Sequence, residues 1–141
     1  MSTIEANTST EANKKKVALI LSGCGYLDGT EIFESVSLIL TLKQNHFDVD
    51  FFAPKAKLKT VDHIKQEEQS SNTRCSLEES ARIVRGDVKE LNTIQNEQYD
   101  GLVTPGGFGA AKNLSDFANK GNETNLQSDV ENCIEHFLEN Q

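Results

Sequence analysis

The segment Gly101-Leu102-Val103-Thr104-Pro105-Gly106-Gly107-Phe108-Gly109 constrains the fold of this chain more than any other. A short apolar run enters it as a strand. Pro105 ends that strand, because it has no N–H to give to a sheet ladder. Gly106 and Gly107 reach backbone angles closed to other residues and leave their N–H groups uncovered by any side chain. A pair of N–H groups at such a turn, facing a helix N-terminus, suits a developing negative charge. The same residues also make a plain strand-to-helix turn, and the glycines alone leave both readings open.

The rest of the chain alternates strands and helices. Val17 to Leu21 is a continuous apolar run, as expected of a central parallel strand covered on both faces. A turn at Gly23-Cys24-Gly25 follows, and a helix is expected from near Thr30, where Asp28 and Glu31 have capping-box spacing. Ile32, Val36, Ile39, Leu40 and Leu42 spread apolar surface around that helix, which predicts a well-buried element. Phe47 to Ala53 reads as the second strand, joined by a right-handed parallel crossover. From Lys55 to Asp100 a polar surface excursion is expected, then a helix opened by a Ser76–Glu79 capping box and stopped by Gly86. The third strand is Gly101 to Thr104, followed by a short helix near Leu114 to Ala118. The last helix, Asn125 to Asn140, carries Leu126, Val130, Cys133, Ile134, Phe137 and Leu138 on one face. The pattern predicts an α/β, flavodoxin-like parallel sheet of three strands with helices on both faces. It is incomplete at the C-terminus, because no strand follows the last helix. A disordered lead-in is expected over residues 1–14, and one domain over 15–141.

A chain of 141 residues suits one domain. Its net charge of −8 argues against nucleic acid and anionic membranes as partners, since both need basic patches. No apolar run reaches the ~18 residues of a membrane span. Cys24, Cys75 and Cys133 are odd in number and lack metal-site spacing, so a reducing compartment is expected. The N-terminus lacks the apolar core of a secretory signal and the arginines of a presequence. The expected address is cytoplasmic, with mitochondria as the alternative.

The run Pro105-Gly106-Gly107-Phe108-Gly109-Ala110-Ala111-Lys112-Asn113-Leu114 resembles the PfpI/ThiJ-type, class I glutamine-amidotransferase-like superfamily. Three further segments agree and come in the same order: Leu21 to Glu34, Phe52-Ala53-Pro54, and Glu79 to Gly86. Together they resemble its ElbB-type glyoxalase branch, whose members are associated with isoprenoid biosynthesis and run on past the point where this chain stops. The resemblance implies a glyoxalase- or deglycase-like lyase that handles small reactive aldehydes through a cysteine thiohemiacetal, without a cofactor. It implies that Glu34 steadies the nucleophilic thiolate from a closed pocket, and that Gly106 and Gly107 form the oxyanion site. Cys24, Glu31, Phe108 and Asn113 are then the candidate pocket residues, Asn113 as a brace for the turn. The family's nucleophile comes from a later segment, so this chain alone is expected to be inactive. A homodimer is the candidate assembly. A non-catalytic binding module, or a partial gene product, is the alternative.

Other residues carry less. Cys24 lies where open α/β sheets place ligands, but a small half-buried thiol is the plainer expectation. Cys133 reads as core. His46, His63 and His136 come singly, so no metal is expected. Gly23-x-Gly25-x-x-x-Gly29 approaches a dinucleotide fingerprint with Asp50 as ribose ligand, but its glycine spacing is one residue too long.

Overall fold

The computed structural model describes residues 14–140. The lead-in expected over residues 1–14 lies outside them, save for Lys14. Four parallel strands form the sheet in the order β5-β2-β1-β6, with β1 at Lys16–Ile20, β2 at Asp48–Ala53, β5 at Lys89–Glu90 and β6 at Gly101–Val103. Leu19 of β1 stands opposite Phe51 on one side and Val103 on the other. The sequence reading anticipated three of these strands and missed β5. Two residues between a polar loop and the 3-10 turn Leu91–Asn96 give no period to detect.

The apolar runs serve both faces of the sheet. Ala18, Ile20 and Phe52 point to one side, where Leu91, Ile94, Leu114, Val130 and Cys133 complete a core. Leu19, Leu21, Val49, Phe51 and Ala53 point to the other, against Leu38, Ile39 and Leu42 of helix α1 (Ile32–Gln44) and Leu77 and Val84 of α2 (Ser76–Val84). The strands therefore read as unbroken hydrophobic stretches, as parallel strands covered on both faces do.

The polar excursion is instead an antiparallel hairpin, β3 (Lys57–Asp62) paired with β4 (Glu67–Cys75). Its signal was present in β3, where Leu58 and Thr60 are buried and Lys57 and Lys59 exposed, a period of two. Asp62 closes the hairpin turn by accepting from the Ile64 and Lys65 N–H groups.

Helix α1 departs most from expectation. Only Ser35 within it is buried, while Phe33 is 82% exposed and Leu40 55% exposed. The sheet can cover one stripe of a helix, and among the described residues nothing covers the other.

Both expected capping boxes fail. Glu31, not Asp28, caps α1, accepting from the Glu34 N–H at 2.6 Å. Asp28 is drawn to the hairpin, where it accepts from the Val61 N–H at 2.8 Å. Helix α2 begins behind Cys75 without a side-chain cap, because Glu79 is claimed by Arg74 and Arg82 at 3.2 and 3.1 Å.

The helix placed near Leu114 is two short pieces, α3 (Phe108–Lys112) and α4 (Phe117–Lys120), with Leu114 buried between them. The last helix, α5, starts later than expected, at Ser128, and ends at Glu139. Gln127 caps it by accepting from Asp129 and Val130, so Leu126 lies ahead of the helix rather than on its face. Among the described residues, no helix is long and apolar enough to cross a membrane.

Candidate functional site

The C-terminal ends of β1 and β6 deliver two loops to one place, where an open parallel sheet sites its ligands. The Thr104 hydroxyl donates to the Ile20 carbonyl at 3.2 Å and ties the loops at their bases. Beyond Pro105, the Gly106 carbonyl accepts the Glu31 N–H at 2.8 Å, and the Gly106 N–H donates to Glu34 Oε2 at 2.6 Å. These paired bonds clamp the glycine turn to the first turn of α1. Gly107 has φ 103°, and a Cβ there would lie 2.6 Å from both the Glu31 nitrogen and the Gly29 carbonyl oxygen. Glycine is required twice over, by backbone angle and by room.

The turn is braced from below. The Phe108 and Gly109 N–H groups donate to the Tyr26 and Gly29 carbonyls, each at 2.8 Å. The Asn113 amide donates to the Ser22 and Asp28 carbonyls at 2.7 and 2.8 Å, both in the loop after β1. Among the described residues, no acceptor claims the Gly107 N–H. Gly107 lines an open cavity of about 390 Å³ together with Tyr26, Glu31, Phe108, Ala110 and Ala111.

Glu34, Gly106, Gly107, Glu31 and Phe108 are therefore brought together. The closed pocket expected around Glu34 is not: its side chain is exposed, and its carboxylate accepts from a backbone N–H instead of donating to a thiolate. Cys24 stands apart. Burial and the nearby Glu79 charge push its thiol pKa up, against the opposing pull of Arg82 and Arg74. Those neighbours belong to α2 and the hairpin. A thiol kept protonated is a weak nucleophile. Cys133 is buried in the core beside α5, its pKa pushed up to about 11 by desolvation.

His63 sits in the hairpin turn, with Nδ1 3.0 Å from the Val61 carbonyl and its ring edge-on to Tyr26 at 5.4 Å. Among the described residues, no group of three or more His, Cys, Asp or Glu side chains is placed to hold a metal ion. The dinucleotide reading fares worse. The Gly25 and Gly29 N–H groups bond within the loop, and that of Gly23 donates to Ser80 Oγ, so none is left to cradle a pyrophosphate. Asp50 is committed to Lys16 and Lys89, at 3.1 and 3.2 Å, and accepts from Tyr99 at 2.8 Å. Sequence reasoning missed Tyr26, Ala110 and Ala111 as pocket walls; the spacing of the two alanines after Phe108, on one helical turn, was the available signal.

No family model matches the chain. It is 39% identical over 132 residues to the ES1 protein homolog, mitochondrial, of Rattus norvegicus, covering 93% of this chain and 50% of that protein. It is 41% identical over 123 residues to the glutamine amidotransferase-like class 1 domain-containing protein 3, mitochondrial, of Homo sapiens, covering 86% of the chain and 46% of that protein. The mitochondrial ES1 protein of Danio rerio is 33% identical over 126 residues. The crystal structure of an isoprenoid biosynthesis protein with an amidotransferase-like domain from Ehrlichia chaffeensis superposes with a TM-score of 0.81. Its sequence identity is 37%, over 89% of this chain and 59% of that one. The chain thus spans about half the length of the curated relatives it matches. These similarities support the class I glutamine amidotransferase-like superfamily and agree with the parallel α/β fold.

Proposed function

We propose, taking the chain as a class I glutamine amidotransferase-like domain, that it contributes the oxyanion side of a site acting on small reactive aldehydes such as glyoxal. The observation that carries this reading is the pairing of Glu34 with the Gly106 N–H beside an unclaimed Gly107 N–H, at the mouth of an open cavity. In such chemistry a cysteine thiolate attacks the aldehyde carbon, forming a C–S bond. The carbonyl oxygen becomes an oxyanion and then takes a proton to give the thiohemiacetal. Donors aimed at that oxygen stabilise its charge as it forms. Gly107 is the donor assigned here, and Glu34 holds the turn in place.

We assign the nucleophile to a residue outside 1–141, since burial and the Glu79 charge push the Cys24 thiol pKa up and disfavour its thiolate. This is the ElbB-type glyoxalase reading, with lyase chemistry and the branch's association with isoprenoid biosynthesis. The mitochondrial names of three relatives make that compartment the first address to test, by imaging a tagged chain.

Glyoxal consumption by two proteins tests the proposal. The 141-residue chain should act no faster than its heat-denatured control. A longer protein of the relatives' length, carrying the further cysteine, should be active, and Glu34→Ala in it should lower the rate by about tenfold or more, as expected for groups acting as a unit. Glyoxal bound without turnover by both proteins would favour a non-catalytic binding module. Activity in the short chain that vanishes with Cys24→Ser would make Cys24 the nucleophile and overturn the assignment.

A further inference from the structure

This chain is acidic, and five of its eleven described lysines are spent on carboxylates: Lys15 on Asp100, Lys16 and Lys89 on Asp50, Lys55 on Glu90, Lys120 on Asp116. Among the described residues Lys14, Lys43, Lys57, Lys65 and Lys112 have no carboxylate partner, and of these Lys57 and Lys112 line one cavity of about 230 Å³ between the hairpin and the α3–α4 segment. Lys59 and Glu68 line it too, 3.5 Å apart and both largely exposed, an ion pair of little energetic value.

The cavity is a shaped one. Buried Leu58 lies on its floor, against Gly23. Asn113, also in the lining, is fixed by its bonds to the Ser22 and Asp28 carbonyls. Lys112 donates to the Leu27 carbonyl at 2.9 Å and lies over the Phe108 ring at 5.4 Å, both outside the lining, and an ammonium has two further N–H groups to offer a ligand. Asn119 adds an exposed amide at the rim.

Three lysines against one glutamate leave the lining with a formal charge of +2, which an anion seated there offsets. We propose that this groove binds a phosphoryl dianion, as inorganic phosphate or as a small phosphomonoester. Two lysines without partners match a dianion in charge. Lysine serves phosphate as a compact point charge, whereas planar carboxylates are better met by the arginine fork, which this groove lacks. The volume is roughly seven waters at ~30 Å³ each, enough for a phosphoryl group on a short carbon chain. The groove is separate from the Gly106–Gly107 turn, and its ligand need not be the aldehyde substrate.

Inorganic phosphate, glycerol 3-phosphate and malonate titrated at fixed ionic strength into the ¹⁵N-labelled chain test this, with amide shifts as the readout. Phosphate, glycerol 3-phosphate or both should move the amides of Lys57, Lys59, Lys112 and Asn119. Binding by the ester alone would identify a phosphomonoester as the ligand. Lys57→Gln with Lys112→Gln should weaken binding by at least about tenfold, as two charge-assisted contacts are lost. Lys43→Gln with Lys65→Gln changes the net charge equally at exposed positions elsewhere, and should leave the affinity within about twofold. Should the first pair unfold the chain, Lys57→Gln alone, at an exposed strand position, gives the same reading. Malonate binding as tightly as phosphate, shifts scattered over the whole surface, or an affinity unchanged by the Lys57 substitution would overturn the proposal.

Discussion

Glu34, Gly107 and Cys24 show what single residues can and cannot be asked to do here. The glycine turn forms where the sequence puts it, because Gly107 answers a need for backbone angle and room, but the Gly106 N–H expected at the oxyanion site is bound to Glu34. Glu34 was found by position, but its partner was not, because hydrogen-bond partners are set by loops that meet only in the fold. Cys24 carries a sharper expectation. With its pKa raised by burial and by Glu79, its thiolate fraction near neutral pH is smaller than that of an unperturbed cysteine. Iodoacetamide at pH 7 should therefore alkylate Cys24 more slowly than a free cysteine peptide. With rising pH, the Cys24 rate should go on climbing where that of the peptide has already levelled off. Mass spectrometry of tryptic peptides would follow it, and alkylation at pH 7 faster than the peptide would contradict the placement of the thiol.

Among the elements, the strands with continuous apolar runs were legible from sequence and the hairpin was not. β1 and β2 announce themselves because both faces are buried. β3–β4 is mostly polar, and its one buried stripe, Leu58 and Thr60, is too short to outweigh the lysines around it. What fixes the hairpin is a pair of long-range anchors: Leu58 against Gly23, and the Asp28 carboxylate accepting from the Val61 N–H. Removing the second anchor leaves a part-buried N–H without its acceptor, a loss of about 1 kcal/mol. In Asp28→Ala, hydrogen exchange should quicken at Val61 and along β3, while Leu19 and Phe51 in the central strands keep their protection. Equal quickening everywhere would mean that the hairpin and the sheet open as one unit.

At the scale of the whole molecule, two kinds of surface stand out. One is the α1 stripe of Ile32, Phe33, Val36 and Leu40, all exposed. The other is β6, a sheet edge paired on one side only. Exposed apolar stripes and open edges are the features by which chains associate. A homodimer through α1 is the arrangement they favour, since residues spaced seven apart on one helix can meet their own copies in antiparallel packing. Sedimentation velocity should show the chain shifting to larger species as concentration rises, and Phe33→Ser with Leu40→Ser should reduce that shift. A monomer at all concentrations would remove the case for α1 as an interface. Sequence periodicity marked these residues as apolar and took them for core, because a hydrophobic pattern records that a surface wants covering but not which molecule supplies the cover.

The bond from the Gly106 N–H to Glu34 also means that this protein is its own first ligand. A carboxylate already rests on one of the turn's two N–H groups, at an effective concentration set by the fold. An anion that needs both N–H groups must displace it, and its apparent affinity is scaled by the fraction of time Glu34 is withdrawn. An anion that needs the Gly107 N–H alone does not compete. The turn thus sorts visitors by how many of its donors they require.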